Sequence, residues 1–288
     1  MGSRTRYLIA LALAAPVCAE IVNGSTSLSE IERPFATLFT LLPYSLLAIW
    51  LAFVASSNAP GNVLYLLPIL GLVIEGLGTH SFFDSAFADL STLAGIGVFA
   101  GVQWPWTLSL LASHAFAGFV VPLTLAAAIA RPGSTAVTER TARIASITLV
   151  FILVLGWLVA PSTLSRHGIA LTATLAVIAL LILSAHKTRI PAPAAAVWAW
   201  PWFLVAGLAF VPLNWLTSLF LAQRIGAYAV LAQLLFLSAY LYFLWRAFFN
   251  PAASERRRMA FIAGYLVPHA IVLCLLGAID IQRGIVGG

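Results

Sequence analysis

The chain has 288 residues, 62% of them hydrophobic and only 8% charged, with a formal net charge of +6. A soluble domain carries about 25% charged residues, so the composition excludes a string of soluble domains and points to one polytopic membrane bundle. The basic residues fall in short loops between apolar spans, which assigns the positive balance to membrane topology and argues against a nucleic-acid partner.

In chain order, Arg4 and Arg6 precede an apolar run, Tyr7 to Ala19, of 13 residues. That run makes about 20 Å of helix, short of the roughly 30 Å hydrocarbon core. Two readings follow. Val17-Cys18-Ala19 is a small-residue cleavage site of a signal peptide, or the helix continues through Glu20, Ile21 and Val22 and carries Glu20 into the bundle. A polar stretch, Asn23 to Arg33, leads to a second span, Pro34 to about Ser56. After the turn Ser57–Asn62, a third span ends near Thr79. Ser91 to Val102 is Gly-rich and too short to cross as a helix, so it reads as an interfacial or re-entrant segment. The fourth span is about Pro105–Ala130, the fifth Arg143–Pro161, the sixth Gly168–Leu183. The seventh, Trp200–Ala222, and eighth, Ala227–Phe249, flank Gln223-Arg224. The ninth, Met259–Ile279, ends at Asp280. Cys18 and Cys274 belong to no CxxC pattern and read as packing residues.

The expected fold is therefore all-α, one transmembrane domain over residues 1–288 with about nine helices. With the N-terminus inside and the C-terminus outside, inside segments hold 11 Lys and Arg and outside segments 4, as the positive-inside tendency requires. This orientation sorts the polar groups. Glu20, Asp84 and Asp89 fall outside or at the outer boundary. Glu75 lies one helical turn below the outer end of its span, and His114 about nine residues in, roughly 14 Å deep. His269 sits near the middle of the last span. The inner halves of the spans hold no carboxylate and no histidine, which suggests one polar cavity opening outward.

Ionisable residues at membrane depth are costly and mark functional sites. Glu75 and Thr79 are one turn apart on one face. Glu75, His114 and His269 are the expected catalytic residues, with Glu20, His80, Asp84 and Asp89 at the cavity mouth. The same three are the expected ligands of a divalent metal such as zinc, which would activate water. Alternatively Glu75 and a histidine form a general-base pair. The plainer readings are a hydrogen-bonded core histidine at His114 or His269, wetted loop histidines at His80, His167 and His186, and helix caps at Asp84 and Asp89. Two function classes follow: a membrane-embedded, metal-dependent hydrolase acting on a lipid, peptide or small molecule, or a proton- or cation-coupled transporter. A non-catalytic assembly subunit, with Arg256-Arg257-Arg258 on anionic lipid, is a third.

Glu20-Ile21-Val22-Asn23-Gly24-Ser25-Thr26, Glu75-Gly76-Leu77 with Ser81-Phe82-Phe83-Asp84 and Asp89-Leu90, and Gly101-Val102-Gln103-Trp104 with Ser113-His114-Ala115 resemble a group of uncharacterised prokaryotic multi-pass membrane proteins. The resemblance covers about the first 130 residues and implies that the Glu20 segment is retained, but it supplies no activity. A fainter similarity is to the CAAX-type glutamic intramembrane proteases, in which a Glu-Glu pair and two later histidines bind and activate water. Glu75, His114 and His269 follow that order. Ile74 stands in place of one Glu, Thr79 in place of the Arg, Leu110 in place of a Phe, and Leu273 in place of the final Asn or Asp.

Overall fold

The computed structural model describes residues 2–21, 37–85, 87, 93–130, 137–159, 161–191, 198–250 and 253–282. Asn23–Thr26 and Asp89 lie outside the described residues, as does the side chain of Asp280. The described chain is helical apart from a small hairpin and short turns. In lipid every backbone N–H and C=O must be satisfied internally, and runs of Leu, Ala, Val and Ile meet that demand as helices.

Helix α1 (Ser3–Pro16) continues as a π-helical turn, Val17–Ile21. A second π turn, Thr37–Leu41, leads into α2 (Leu42–Ser56), and α3 (Val63–Gly71) ends in a third, Leu72–Gly78. Helix α4 (Trp104–Ser113) passes through a fourth, His114–Val120, into α5 (Val121–Ala130). Helices α6 (Glu139–Val159) and α7 (Pro161–Lys187) follow. Then come α8 (Trp200–Trp215), the short α9 (Leu221–Ile225), α10 (Ala229–Phe243) and α11 (Glu255–Gln282).

Five of the described helical stretches are long and apolar enough to cross a membrane: Leu38–Ser56, Trp104–Ala130, Glu139–Val159, His167–Lys187 and Trp200–Arg246. Val63–Gly78 is apolar but shorter. The 47-residue stretch Trp200–Arg246 is not one rod. Its backbone breaks at Gly226, where φ is +58°, and its halves fold back on each other. The rings of Phe203 and Phe243, Phe210 and Phe236, and Phe210 and Tyr240 are in contact, and the Tyr240 hydroxyl donates to the carbonyl of Ala206 at 2.6 Å. Residues low in α8 thus meet residues high in α10, the signature of an antiparallel hairpin.

The described part of the expected interfacial or re-entrant segment ends in a hairpin. Val98–Phe99 pairs antiparallel with Val102–Gln103 across a two-residue turn. Ala100 and Gly101 both have positive φ, 53° and 74°, as the tight hairpin turn matching strand twist demands.

Two features fix the packing. Gly207 on α8 faces Gly264 on α11. A Cβ on Gly207 would overlap the carbonyl oxygen of Phe261 and lie 2.8 Å from the nitrogen of Tyr265. A small residue here lets the two backbones touch, the usual device where lipid offers no hydrophobic drive between helices. Around this crossing Phe116, Phe210, Phe261, Tyr240 and Tyr265 form a buried aromatic cluster. By contrast Ile147, Phe151 and Leu158 of α6 and Leu180 and Leu183 of α7 are exposed, as side chains facing lipid would be.

Loop contacts sort the helix ends into two sets. At one end Asn62 donates to the carbonyls of Ala185 and Thr188 (2.7 and 2.8 Å) and accepts from the backbone N–H of Ile190 at 2.9 Å. Trp245 donates to Pro191 at the same end, and Arg256 lies over the Trp200 ring. At the other end His80 stacks on His167, Trp157 donates to the carbonyl of Leu77, and the hairpin joins the His80 turn through Gln103 N–H and Phe82 C=O. The second end carries the site.

Candidate functional site

The site begins with a close approach. A Cβ on Gly71 would lie 3.1 Å from the Cα of Leu111 and 3.6 Å from the Cβ of His114, so α3 and α4 nearly touch there. One turn further on, Glu75 meets His114: Oε1 is 2.9 Å from Nε2. Both residues are buried, at 8% and 3% exposure, so the pair must satisfy itself internally.

The local sequence supplies the remaining partners of the carboxylate. Oε2 of Glu75 accepts from the hydroxyl of Thr79 at 2.8 Å, the i+4 residue on the same face, and from the hydroxyl of Ser81 at 2.6 Å. Ser81 reaches back because the chain turns sharply at His80, whose φ is +62°, a region His enters more readily than most residues. The N–H groups of Phe83 and Asp84 close this turn on the carbonyl of His80.

On its far side, Nδ1 of His114 is 3.1 Å from the hydroxyl of Tyr44, a fully buried residue of α2. The Tyr44 hydroxyl is in turn hydrogen-bonded to Glu20, itself buried in the π turn that follows α1. The result is a continuous chain, Glu20–Tyr44–His114–Glu75, built from four separate helices. Glu20, Glu75 and His114 all lie in π-helical turns. Such turns widen the helix and re-aim side chains, and they recur at functional sites.

Proton counting gives the chain two settings. When the Tyr44 O–H donates to Glu20, its oxygen accepts the Nδ1–H of His114, and one further proton bridges Nε2 and Oε1. When Glu20 carries a proton and donates it to the Tyr44 oxygen, the Tyr44 O–H donates to Nδ1, and the imidazole, left neutral, donates its Nε2–H to the Glu75 carboxylate. Passing between these settings moves one proton along the chain without moving a heavy atom.

Glu20, Glu75 and His114 line one cavity of about 200 Å³. Its wall also includes Phe39, Thr40, Thr79, Phe87, Trp106 and Leu110. Both carboxylate ends of the chain therefore border the same space.

The other expected residues are placed as follows. His269 is apart from this group: it lines an adjoining cavity of about 160 Å³ that shares only Trp106 and Leu110 with the first. Its Nδ1 is 3.0 Å from the carbonyl of Tyr265, one turn back on its own helix. The expected three-ligand metal set is not assembled, because among the described residues no three of His, Cys, Asp or Glu come together to hold a metal ion. His80 and Asp84 belong to the turn beyond Glu75, with His80 stacked on His167 at 6.0 Å between ring centroids. Burial and the neighbouring His167 hold the His80 imidazole below its ordinary pKa. Tyr44 and Ser81 are additions. A tyrosine hydroxyl ten residues into an apolar span, at the depth of His114, has to find a partner, and that shared depth is the signal that would have singled it out.

The sequence matches the profile of an uncharacterized membrane protein family over residues 9–283. The chain belongs to that family. The match runs from α1 to the end of α11, so the four helices that build the relay are all family elements. No curated protein and no solved structure matches the chain.

Proposed function

We propose that this family member is a membrane-embedded acid–base enzyme, a hydrolase or lipid- or peptide-modifying enzyme, with Glu20, Tyr44, His114 and Glu75 as its working groups. One observation carries the reading: two buried carboxylates are the ends of a single hydrogen-bonded chain and border one cavity. A proton taken from a substrate at one carboxylate is delivered at the other, which supplies a general base and a general acid in the same chamber. In a hydrolysis, water adds through its oxygen to the scissile carbonyl as its proton passes to the relay. Collapse of the intermediate breaks the bond to the leaving alkoxide or amine, which takes that proton back. Glu20, Glu75 and His114 border one cavity, but among the described residues no three such groups converge as a catalytic zinc usually requires, so the proposed chemistry runs through the side chains.

The reading places nine spans in the cell membrane, N-terminus inside and C-terminus outside, so that the cavity opens outward. The basic-residue bias supports this, as does the grouping of the helix ends into two sets. Membrane lipids surround the protein, and the substrate is a lipid, peptide or small molecule reaching the cavity from the outer leaflet.

A second reading, proton-coupled transport, is favoured by the same chain, since carboxylate–histidine relays also move protons in pumps and transporters. Reconstituted vesicles separate the two. Purified wild type and Glu75→Gln are incubated in vesicles of total membrane lipid with an internal pH dye, and products are followed by mass spectrometry. The enzyme reading expects lipid or peptide products that depend on Glu75, with no change in internal pH. A Glu75-dependent pH change without products supports transport. Identical behaviour of the two proteins in both channels would remove both readings.

A further inference from the structure

The cavity that holds His269 differs in chemistry from its neighbour. Its polar wall includes Ser109, Ser113, Asn214, Ser218, His269 and Trp106, and among the described residues no Asp, Glu, Lys or Arg lines it. A charged group entering it would lose hydration without compensation.

Its hydrogen bonds are incomplete. Asn214, 2% exposed, donates through Nδ2 to the hydroxyls of Ser109 and Ser113 at 3.0 and 3.3 Å. Its contact to the carbonyl of Ser109 at 3.4 Å, an oxygen that only accepts, sets the amide orientation. Among the described residues the Asn214 Oδ1 has no partner and neither has the indole Nε1–H of Trp106, and both atoms are closed to water as the side chains stand. His269, 8% exposed, gives its Nδ1–H to the carbonyl of Tyr265, because a carbonyl only accepts. In the neutral ring Nε2 is then an acceptor. Buried polar groups in native proteins are normally satisfied. Here residues lining one cavity hold two spare acceptors and one spare donor.

We propose that this second cavity is a recognition subsite for an uncharged group that both donates and accepts hydrogen bonds, with a primary carboxamide as the best match. One amide N–H meets His269 Nε2; small turns of the Asn214 and Trp106 side chains bring Oδ1 to the other N–H and Nε1–H to the amide oxygen. A volume of about 160 Å³ is about five waters' worth at ~30 Å³ each, enough for a carboxamide and one methylene. Trp106 and Leu110 separate this subsite from the acid–base cavity. On the enzyme reading above, one substrate reaches around them, its amide held here and its reacting bond beside Glu75 and His114. Amide binding itself does not depend on that reading.

The test uses the full chain in nanodiscs with 15N-labelled tryptophan and histidine, and propionamide as the probe. The Trp106 indole resonance is identified by its loss in Trp106→Phe. Propionamide is expected to shift it saturably, and propionate at the same concentration to leave it in place. Asn214→Leu should weaken the titration about tenfold, the size of one lost hydrogen bond. In Trp106→Phe, binding is read at the His269 ring nitrogen and should weaken similarly. No saturable shift in folded wild type, or an equal shift with propionate, overturns the proposal and leaves a water-filled cavity. Glu75→Gln distinguishes the two claims. If the acid–base reading alone fails, propionamide still binds both proteins equally. If the subsite alone fails, titrations are flat while Glu75→Gln still changes product formation.

Discussion

Tyr44→Phe removes one oxygen atom from the middle of the relay and leaves the ring in place. Tyr44 is fully buried, and its ring centroid lies 5.5 Å from that of His114, so aromatic packing is kept. Two hydrogen bonds are lost, one to Nδ1 of His114 and one to Glu20. A neutral bond contributes about 1 kcal/mol and one to a charged group about 1.5–3 kcal/mol. Both stranded partners border the 200 Å³ cavity, where water can replace part of what is lost. The net destabilisation is therefore about 1–3 kcal/mol, below the sum of the bonds. Thermal unfolding of purified protein in detergent measures it, with Glu20→Gln and the double variant completing a mutant cycle. Residues in one hydrogen-bond network couple by about 0.5–3 kcal/mol. A Tyr44→Phe protein as stable as wild type, with additive energies in the cycle, would mean that the chain does not pass through Tyr44.

Three further outcomes follow from the fold. Gly207→Ala should destabilise by about 1–3 kcal/mol, the usual penalty of overpacking, because the new methyl meets backbone of α11 that cannot swing aside; unchanged thermal unfolding would contradict the close crossing. Asn62→Ala strips three hydrogen bonds from a residue 2% exposed and leaves two carbonyls and one N–H unpaired; about 2–4 kcal/mol is expected, with accelerated proteolysis near Thr188. For His80 the folded pKa lies below its ordinary 6.5, so the unfolded chain binds the proton first as pH falls. Stability from this group is then fully present above about 6.5 and declines as pH drops through that value. His80→Asn should flatten the slope of unfolding temperature against pH just below 6.5, and an unaltered slope would assign it to other groups.

The helices were legible because apolar runs in a membrane have no other way to satisfy their backbone. That Glu75 and His114 lie within reach of each other followed from depth, which a rise of 1.5 Å per residue makes countable. Rotation about the helix axis was not legible. Four π-helical turns shift the angular register next to Glu20, Tyr44, Glu75 and His114, and a sequence pattern carries no sign of them. Depth alone grouped His269 with Glu75, whereas its placement on α11 aims it into the neighbouring cavity. The hairpin at Val98–Gln103 was hidden for another reason. Its turn is Ala100-Gly101 instead of Asn-Gly or Asp-Gly, so the strongest local hairpin signal is missing.

The central claim, that Glu20 and Glu75 are joined through Tyr44 and His114, is tested most directly at the His114 ring by 15N NMR of histidine-labelled protein in bilayers. The account predicts that Glu75→Gln moves Nε2 most and Tyr44→Phe moves Nδ1 most. It also predicts that Glu20→Gln, which does not remove the Tyr44 hydroxyl, shifts Nδ1 through it. His114 resonances that ignore Glu20→Gln and Glu75→Gln in folded protein would contradict it.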